Sequence, residues 1–194
     1  MKLVIRCWES RMPTRAHRIA EWDFSPEDRW FFDTNVWMRI LTNQGDPNDP
    51  NVSAYSTAYK RILKSQATIH TDLLVLAEFS NASLRLEHEL AIRFLSAPST
   101  FKTFRDTSDE YGYAVANVAR HLQDIQENAT CLNCVPPSWG AFMKRFEKGE
   151  RDFNDELIVE QCQKHDLVLV THDGDFRGAD LRILTHHSAY FARR

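Results

Sequence analysis

The chain has 194 residues, enough for one sizeable core and too few for two ordinary domains. Hydrophobic residues make up 43% and charged ones 26%, and the formal net charge is −3, which excludes a uniformly basic nucleic-acid glove but leaves room for a local basic patch. Four cysteines are too few for a disulfide scaffold and suit a reducing compartment; no apolar run approaches the roughly 20 residues that span a bilayer, so the expected setting is the cytoplasm, with no membrane partner.

Residues 1–29 carry no clean periodicity and read as an N-terminal extension packed on the surface, with Leu3-Val4-Ile5 as a short edge strand. Lys2, Arg6, Arg11, Arg15 and Arg18 against the single acid Glu9 offer a second reading, a basic arm that touches RNA. Ser25-Pro26-Glu27-Asp28 signals a turn before the first strong strand, and one domain is expected over 30–194.

That domain opens on Phe31-Phe32-Asp33-Thr34-Asn35-Val36-Trp37, an aromatic run ending in an acid, then small polar residues, then an apolar helical pattern. The order reads as strand, tight turn, helix, which sets the Asp33 carboxylate at the carboxyl end of a strand, where open α/β sheets place their ligands. The short helix stops in the turn-rich loop Asn43-Gln44-Gly45-Asp46-Pro47-Asn48-Asp49-Pro50. A helix follows from Val52 to about Ser65, and Ala67-Thr68-Ile69-His70 makes a second strand.

Thr71 or Asp72 caps the next helix, which is expected to bury Leu73, Leu74, Leu76 and Ala77 and to carry Glu78. An acid inside an apolar turn is costly unless paired or bound to a metal. Leu90, Ile92, Phe94 and Leu95 continue the packing to Pro98, and a further helix runs from Thr107 to about Asn128. Cys131-Leu132-Asn133-Cys134 has zinc-ligand spacing without a second pair, and reads as a turn between two helices. Beyond Pro136-Pro137, Trp139, Phe142, Met143 and Phe146 form an apolar face beside Lys144, Arg145, Lys148 and Arg151, which are either a solvated face or a phosphate-contacting rim.

A helix through Leu157, Ile158, Val159 and Cys162 is headed by Asp152 and Asp155. Leu167-Val168-Leu169-Val170 reads as a fully buried strand and Leu181-Arg182-Ile183-Leu184 as another. Strands separated by helices argue for an α/β fold with a mainly parallel sheet covered on both faces.

Four acids share one kind of context: Asp33, Glu78, Asp155 and Asp173, the last in Thr171-His172-Asp173-Gly174-Asp175-Phe176. Each alone is read as easily as a cap or turn residue. Together, each beside a strongly apolar element, they make a set of hard oxygen donors suited to Mg2+ or Mn2+ rather than zinc. Such an ion can orient a water and stabilise phosphoryl-transfer charge, which points to phosphodiester hydrolysis of RNA. Thr34, Asn35 and Thr171 stand either as supports of those ligands or as helix caps. Asp175 either structures the Gly174 turn or replaces or supplements Asp173, and Asp152 reads as a cap. His172, His186 and His187 lie near the last motif with no nucleophile beside them; they are read as surface residues, or one of them as a phosphate contact.

Phe32-Asp33-Thr34-Asn35, Leu76-Ala77-Glu78, Asp152-Phe153-Asn154-Asp155-Glu156-Leu157-Ile158 and Val170-Thr171-His172-Asp173-Gly174-Asp175-Phe176, in that order over about residues 30 to 185, resemble the PIN-domain nucleases, particularly the VapC-like toxins of type II toxin–antitoxin pairs. The resemblance implies a three-layer α/β/α PIN-like fold, Mg2+- or Mn2+-dependent endoribonuclease activity, frequent homodimerisation and an antitoxin protein partner. It carries metal ligation onto Asp33, Glu78, Asp155 and Asp173, with Thr34 assisting. The chain departs from such toxins in the thirty or so residues before the first motif and in its long middle helical section. Two other readings stand beside it. A haloacid-dehalogenase-like phosphatase also places an Asp after its first strand, but wants a second Asp where Asn35 stands; a PIN fold that binds RNA or a protein without cutting is the other.

Overall fold

The computed structural model describes residues 15–42, 46–133 and 139–192, so the expected strand at Leu3-Val4-Ile5 and the segment from Cys134 through Pro137 lie outside the described residues. The strands are β1 (Arg15–Arg18), β2 (Arg29–Phe32), β3 (Thr68–Asp72), β4 (Thr130–Leu132), β5 (Val168–Val170) and β6 (Arg182–Thr185). The helices are α1 (Thr34–Leu41), α2 (Pro50–Ser65), α3 (Leu73–Leu95), α4 (Phe101–Thr107), α5 (Asp109–Asn128), α6 (Trp139–Phe146) and α7 (Phe153–His165).

One six-stranded sheet has the order β1-β6-β5-β2-β3-β4, and every pairing in it is parallel. Parallel strands joined by helices are covered on both faces, which demands near-continuous apolar runs. The central pair supplies them: Trp30, Phe31 and Phe32 of β2 and Val168, Leu169 and Val170 of β5 are all buried. The result is the expected three-layer α/β/α arrangement.

The register of that pair fixes the position of Asp33. Phe32 lies opposite Val170, and the next amide, that of Asp33, donates to the Val170 carbonyl at 3.1 Å. From there the chain leaves β2 through α1 and α2 towards β3 on one side, while β5 continues to β6 on the other. The β2–β5 seam is therefore the topological switch point, where the outgoing connections diverge and leave a crevice at the carboxyl ends of the strands.

Acids cap the helices that leave these strands and the helix that feeds β5. Asp33 accepts from the Thr34 amide at 2.7 Å, Asp72 from the Val75 amide at 2.9 Å, and Asp152 from the Asp155 amide at 2.8 Å, each satisfying an amide with no partner inside the helix. Asp72 and Asp152 thus act as the caps expected of them.

Three expectations are corrected. On α3 the inward row is Val75, Phe79 and Ser83, all buried, whereas Leu73 is 68% exposed and Ala77 also faces outward. Two residues of helix turn the side chain by about 200°, so Leu73 and Ala77 fall on the side opposite Val75. At the other end of α3, Ile92, Phe94 and Leu95 are 40%, 70% and 62% exposed, because the side that packs on Phe104 there is that of His88 and Ala91. Cys131 and Leu132 belong to β4 rather than to a turn between helices: His70, Thr71 and Asp72 of β3 pair with Thr130, Cys131 and Leu132.

Residues 15–24 are built into the sheet and core. Arg15 to Arg18 pair in register with Arg182 to Thr185, Ile19 is buried, and the Trp22 and Phe24 rings meet Trp30 edge-on at 5.6 and 5.4 Å. Among the described residues no helix is long and apolar enough to cross a membrane.

Candidate active site

Asp33 is the most deeply set of the four acids, 6% exposed at the end of β2. Its Oδ1 accepts from the Thr34 amide, and its Oδ2 accepts from the Thr171 hydroxyl at 2.6 Å and from the Asn35 amide nitrogen. Thr171 occupies the matching position after β5, so the contact follows from strand register. The Thr171 hydroxyl oxygen also accepts from the Asp173 amide at 2.9 Å and from Asn35 Nδ2 at 3.2 Å. Asn35 Oδ1 in turn accepts from the His172 amide at 2.8 Å. One hydroxyl and one carboxamide thereby tie the start of α1 to the turn after β5.

Glu78 reaches the same place from α3, whose first turn directly continues β3, the other neighbour of β2. Its Oε2 accepts from the Thr34 hydroxyl at 3.1 Å. Thr34 and Asn35 thus order acids, and the capping of α1 falls to Asp33 itself. Asp173 is held by its amide to Thr171, by its carbonyl to the Tyr190 hydroxyl at 2.5 Å, and its Oδ1 accepts from the Asp175 amide at 2.9 Å. Asp175 is exposed and contributes that backbone donor to the turn.

Asp155 stands in the first turn of α7, which leads into β5. Its helix is clamped by Glu156, fully buried, which receives Arg145 at 2.9 Å and Arg151 at 2.8 Å; Arg145 also reaches Glu160 at 2.5 Å. Two of the four bases read as a solvated face or phosphate rim are therefore committed to carboxylates.

The charges of the candidate acids act on one another. Burial raises the Asp33 carboxyl to about 6, with the Thr171 hydroxyl opposing the rise and Glu78 and Asp173 adding to it. Burial likewise raises Asp155 to about 7, and Asp152, Asp33, Asp173 and Asp175 add repulsion. Carboxyls driven up by desolvation and by like charges are ones that a cation would return to the ionised form. As the side chains stand, no three His, Cys, Asp or Glu groups among the described residues are gathered closely enough to hold an ion. The chemistry of the donor set nevertheless fits a hard divalent cation: carboxylates with hydroxyl and carboxamide support, and no thiol.

Two clefts flank these acids. One, of about 370 Å3, is lined by Leu74, Ala77, Glu78, Asn81, Ala82, Arg85 and Asn154. The other, of about 280 Å3, is lined by Asn51, His172, His186, His187 and Ser188. Tyr55 supports the second from below. Its hydroxyl donates to the Thr171 carbonyl at 2.9 Å, accepts from the His186 amide at 3.0 Å, and lies 3.1 Å from His172 Nδ1. Burial, then the nearby Arg39, His187 and His186, lower the His172 imidazole to about 4, so it is neutral near pH 7. Sequence reading missed Tyr55, Arg39 and Tyr190; Tyr55 and Tyr190 meet the site only through tertiary packing, whereas Arg39 lies one helical turn beyond Asn35, and that spacing with the cluster of histidines was the local signal.

No protein of curated function matches the chain. Among solved structures the chain is similar to one chain of VapBC2 from Rickettsia felis, determined bound to a DNA fragment from their promoter: 15% identity, TM-score 0.52, covering 81% of this chain and 98% of that one. At that identity the likeness speaks for the fold. The family model for the PIN domain matches residues 30–181, a span that takes in all four acids and the strands that carry them, and on that match the chain belongs to the PIN domain family.

Proposed function

We propose that the protein is a metal-dependent endoribonuclease of the VapC-like kind, with Asp33, Glu78, Asp155 and Asp173 as ligands of Mg2+ or Mn2+. The observation that carries the reading is the hydrogen-bond network at the carboxyl ends of β2 and β5: the Thr171 hydroxyl donates to Asp33 and accepts from the Asp173 amide, and Thr34, whose amide donates to Asp33, gives its hydroxyl to Glu78. The raised Asp33 and Asp155 carboxyls agree with it. A bound divalent ion would supply an activated water and charge stabilisation for phosphodiester hydrolysis. The protein's own groups do the positioning: Thr171 and Asn35 aim Asp33, Thr34 aims Glu78, and the Glu156 clamp fixes the helix of Asp155. An antitoxin protein partner, supported by likeness to a VapBC2 chain, and a homodimer belong to the same reading.

The test is cleavage of a mixed RNA pool by purified protein with Mg2+, with Mn2+ and with EDTA, alongside the Asp33→Asn variant. Metal-dependent cutting that disappears in the variant is expected. Cutting that persists in EDTA or in the variant overturns the assignment. One observation favours a second reading, a PIN domain that binds RNA or a protein without cutting: no three acid groups among the described residues are gathered as the side chains stand. That reading predicts RNA binding with no cleavage under any metal.

A further inference from the structure

We infer that the cleft lined by Asn51, His172, His186, His187 and Ser188, with Arg39 over the ring of Tyr55, whose hydroxyl contacts His172 and His186, is a subsite for a phosphodiester of the RNA strand next to the bond that is cut. The inference rests on the nuclease reading for the identity of the strand, and on separate observations for the site.

Arg39 is the first of these. Its guanidinium is half-buried, donates from Nη1 to the Asn35 carbonyl at 3.1 Å, and lies 6.0 Å from the centre of the Tyr55 ring. It forms no ion pair among the described residues, and its Nε is buried without a partner. A guanidinium withdrawn from water with an unused donor is costly to keep unless an anion completes it. The acids that face it, Asp49 and Asp33, attract it from a distance only. Asp49 is occupied in capping α2, accepting from the amide and the carboxamide of Asn51, both at 2.8 Å, and Asp33 is engaged by Thr34, Asn35 and Thr171.

The cleft's lining is the second. The His172 and His187 rings lie 4.9 Å apart, and His187 meets the Tyr190 ring at 6.0 Å. His187 Nδ1 accepts from the Ala189 amide at 3.1 Å, which leaves its Nε2–H, with the Ser188 hydroxyl, to donate to phosphate oxygens, and imidazole and phenol faces accept a stacked base. Position is the third observation. His172 lies between Thr171 and Asp173, its amide held by Asn35, so the cleft begins where the candidate acids end. The second cleft, along Glu78, Asn81 and Arg85, includes one of the candidate acids in its own lining.

The experiment follows histidine ring resonances by NMR in EDTA while the dinucleotide UpU, or inorganic phosphate, is added to wild type, Arg39→Gln, His186→Gln and Asp33→Asn. UpU should shift His172, His186 and His187 saturably in wild type and in Asp33→Asn, and bind on the order of tenfold more weakly to Arg39→Gln. His186 is exposed, so His186→Gln tests the cleft without risk to the fold. With longer RNA the slope of log affinity against log salt should fall by roughly one in Arg39→Gln. Absence of a saturable shift with UpU, or equal UpU affinity in wild type and both cleft variants, overturns the inference, and so do shifts produced by inorganic phosphate alone. Shifts in a protein that cuts no RNA would remove the nuclease reading and leave a phosphodiester site; cutting without shifts would do the reverse.

Discussion

Asp33→Asn separates the charge of the candidate site from its shape, and its effect on stability can be worked out. In the folded protein the Asp33 carboxyl titrates at about 6, against an ordinary value of 3.8. It therefore binds its proton more tightly when folded, and folding takes up a proton between those two values. Stability from this group is complete below 3.8 and is lost as pH rises through about 6. A carboxyl held about two pH units above its ordinary value costs the metal-free wild type about 3 kcal/mol at about pH 8. Asparagine escapes that penalty but turns an NH2 towards the Asn35 and Thr171 donors, costing about 1 kcal/mol at any pH. Urea unfolding in EDTA should find the variant more stable than wild type by about 2 kcal/mol near pH 8 and less stable by about 1 kcal/mol near pH 3. Other acids titrate in both proteins; Asp155, relieved of Asp33's charge, moves the difference in the same direction. A stability difference that stays constant between the two pH values would refute the reasoning, whatever its sign.

Adding Mg2+ near neutral pH should raise the melting temperature of wild type in a concentration-dependent way and leave Asp33→Asn nearly flat; equal responses would take the ion away from Asp33. Glu156→Ala strips the buried carboxylate from Arg145 and Arg151 and should cost about 3–5 kcal/mol by urea unfolding, a loss below about 1 kcal/mol showing that the clamp is dispensable. Thr171→Val removes the hydroxyl shared by Asp33, Asn35 and the Asp173 amide; a loss of about 1–3 kcal/mol is expected, with slower RNA cutting, and unchanged cutting would deny Thr171 its positioning role. Phe79→Ala opens a cavity under α3 and should cost about 3–5 kcal/mol, which unchanged thermal unfolding would contradict.

What could be read from sequence was local. Phe31-Phe32 before Asp33 announces a buried strand that ends in an acid, and Leu167 to Val170 before Thr171 announces its neighbour, because a parallel strand buried on both faces has to be written as an unbroken apolar run. Edge strands carry no such requirement. Arg15-Ala16-His17-Arg18 and Thr130-Cys131-Leu132 are short and contain no fully buried residue, so nothing in their composition separates them from loop. Leu73 and Ala77 misled for a related reason: an apolar residue on a helix names the helix but not the direction in which it faces, and Val75 with Phe79 settles that only against the sheet. The basic stretch around Arg145 reads as a solvated face or a phosphate rim because Glu156, its partner, stands across a turn in a helix of its own. Of the candidate site, the acids and the residues touching them in sequence were legible. Tyr55 was not, since α2 reaches the crevice only once the sheet has formed; Arg39 stands one turn beyond Asn35 on α1, but nothing in its local sequence shows that its guanidinium is half-buried.

The placement of the acids follows from connectivity more than from their attraction to any ligand. Asp33 directly follows β2; Thr171 directly follows β5 beside it, with Asp173 two residues later; Glu78 rides on the helix that continues β3; Asp155 stands in the first turn of the helix that feeds β5. Each is thus delivered by one of the three strands at the switch point or by a helix next to it; Asp33, Glu78 and Asp173 are held by neutral donors, and Asp155 through its amide, which donates to the capping Asp152 carboxylate. Such an arrangement can tolerate the repulsion written into the raised Asp33 and Asp155 carboxyls, because the core beneath holds the strands together regardless of charge. It also makes the acids energetically coupled but structurally independent. Neutralising one should ease the others through charge while leaving their positions where the sheet sets them.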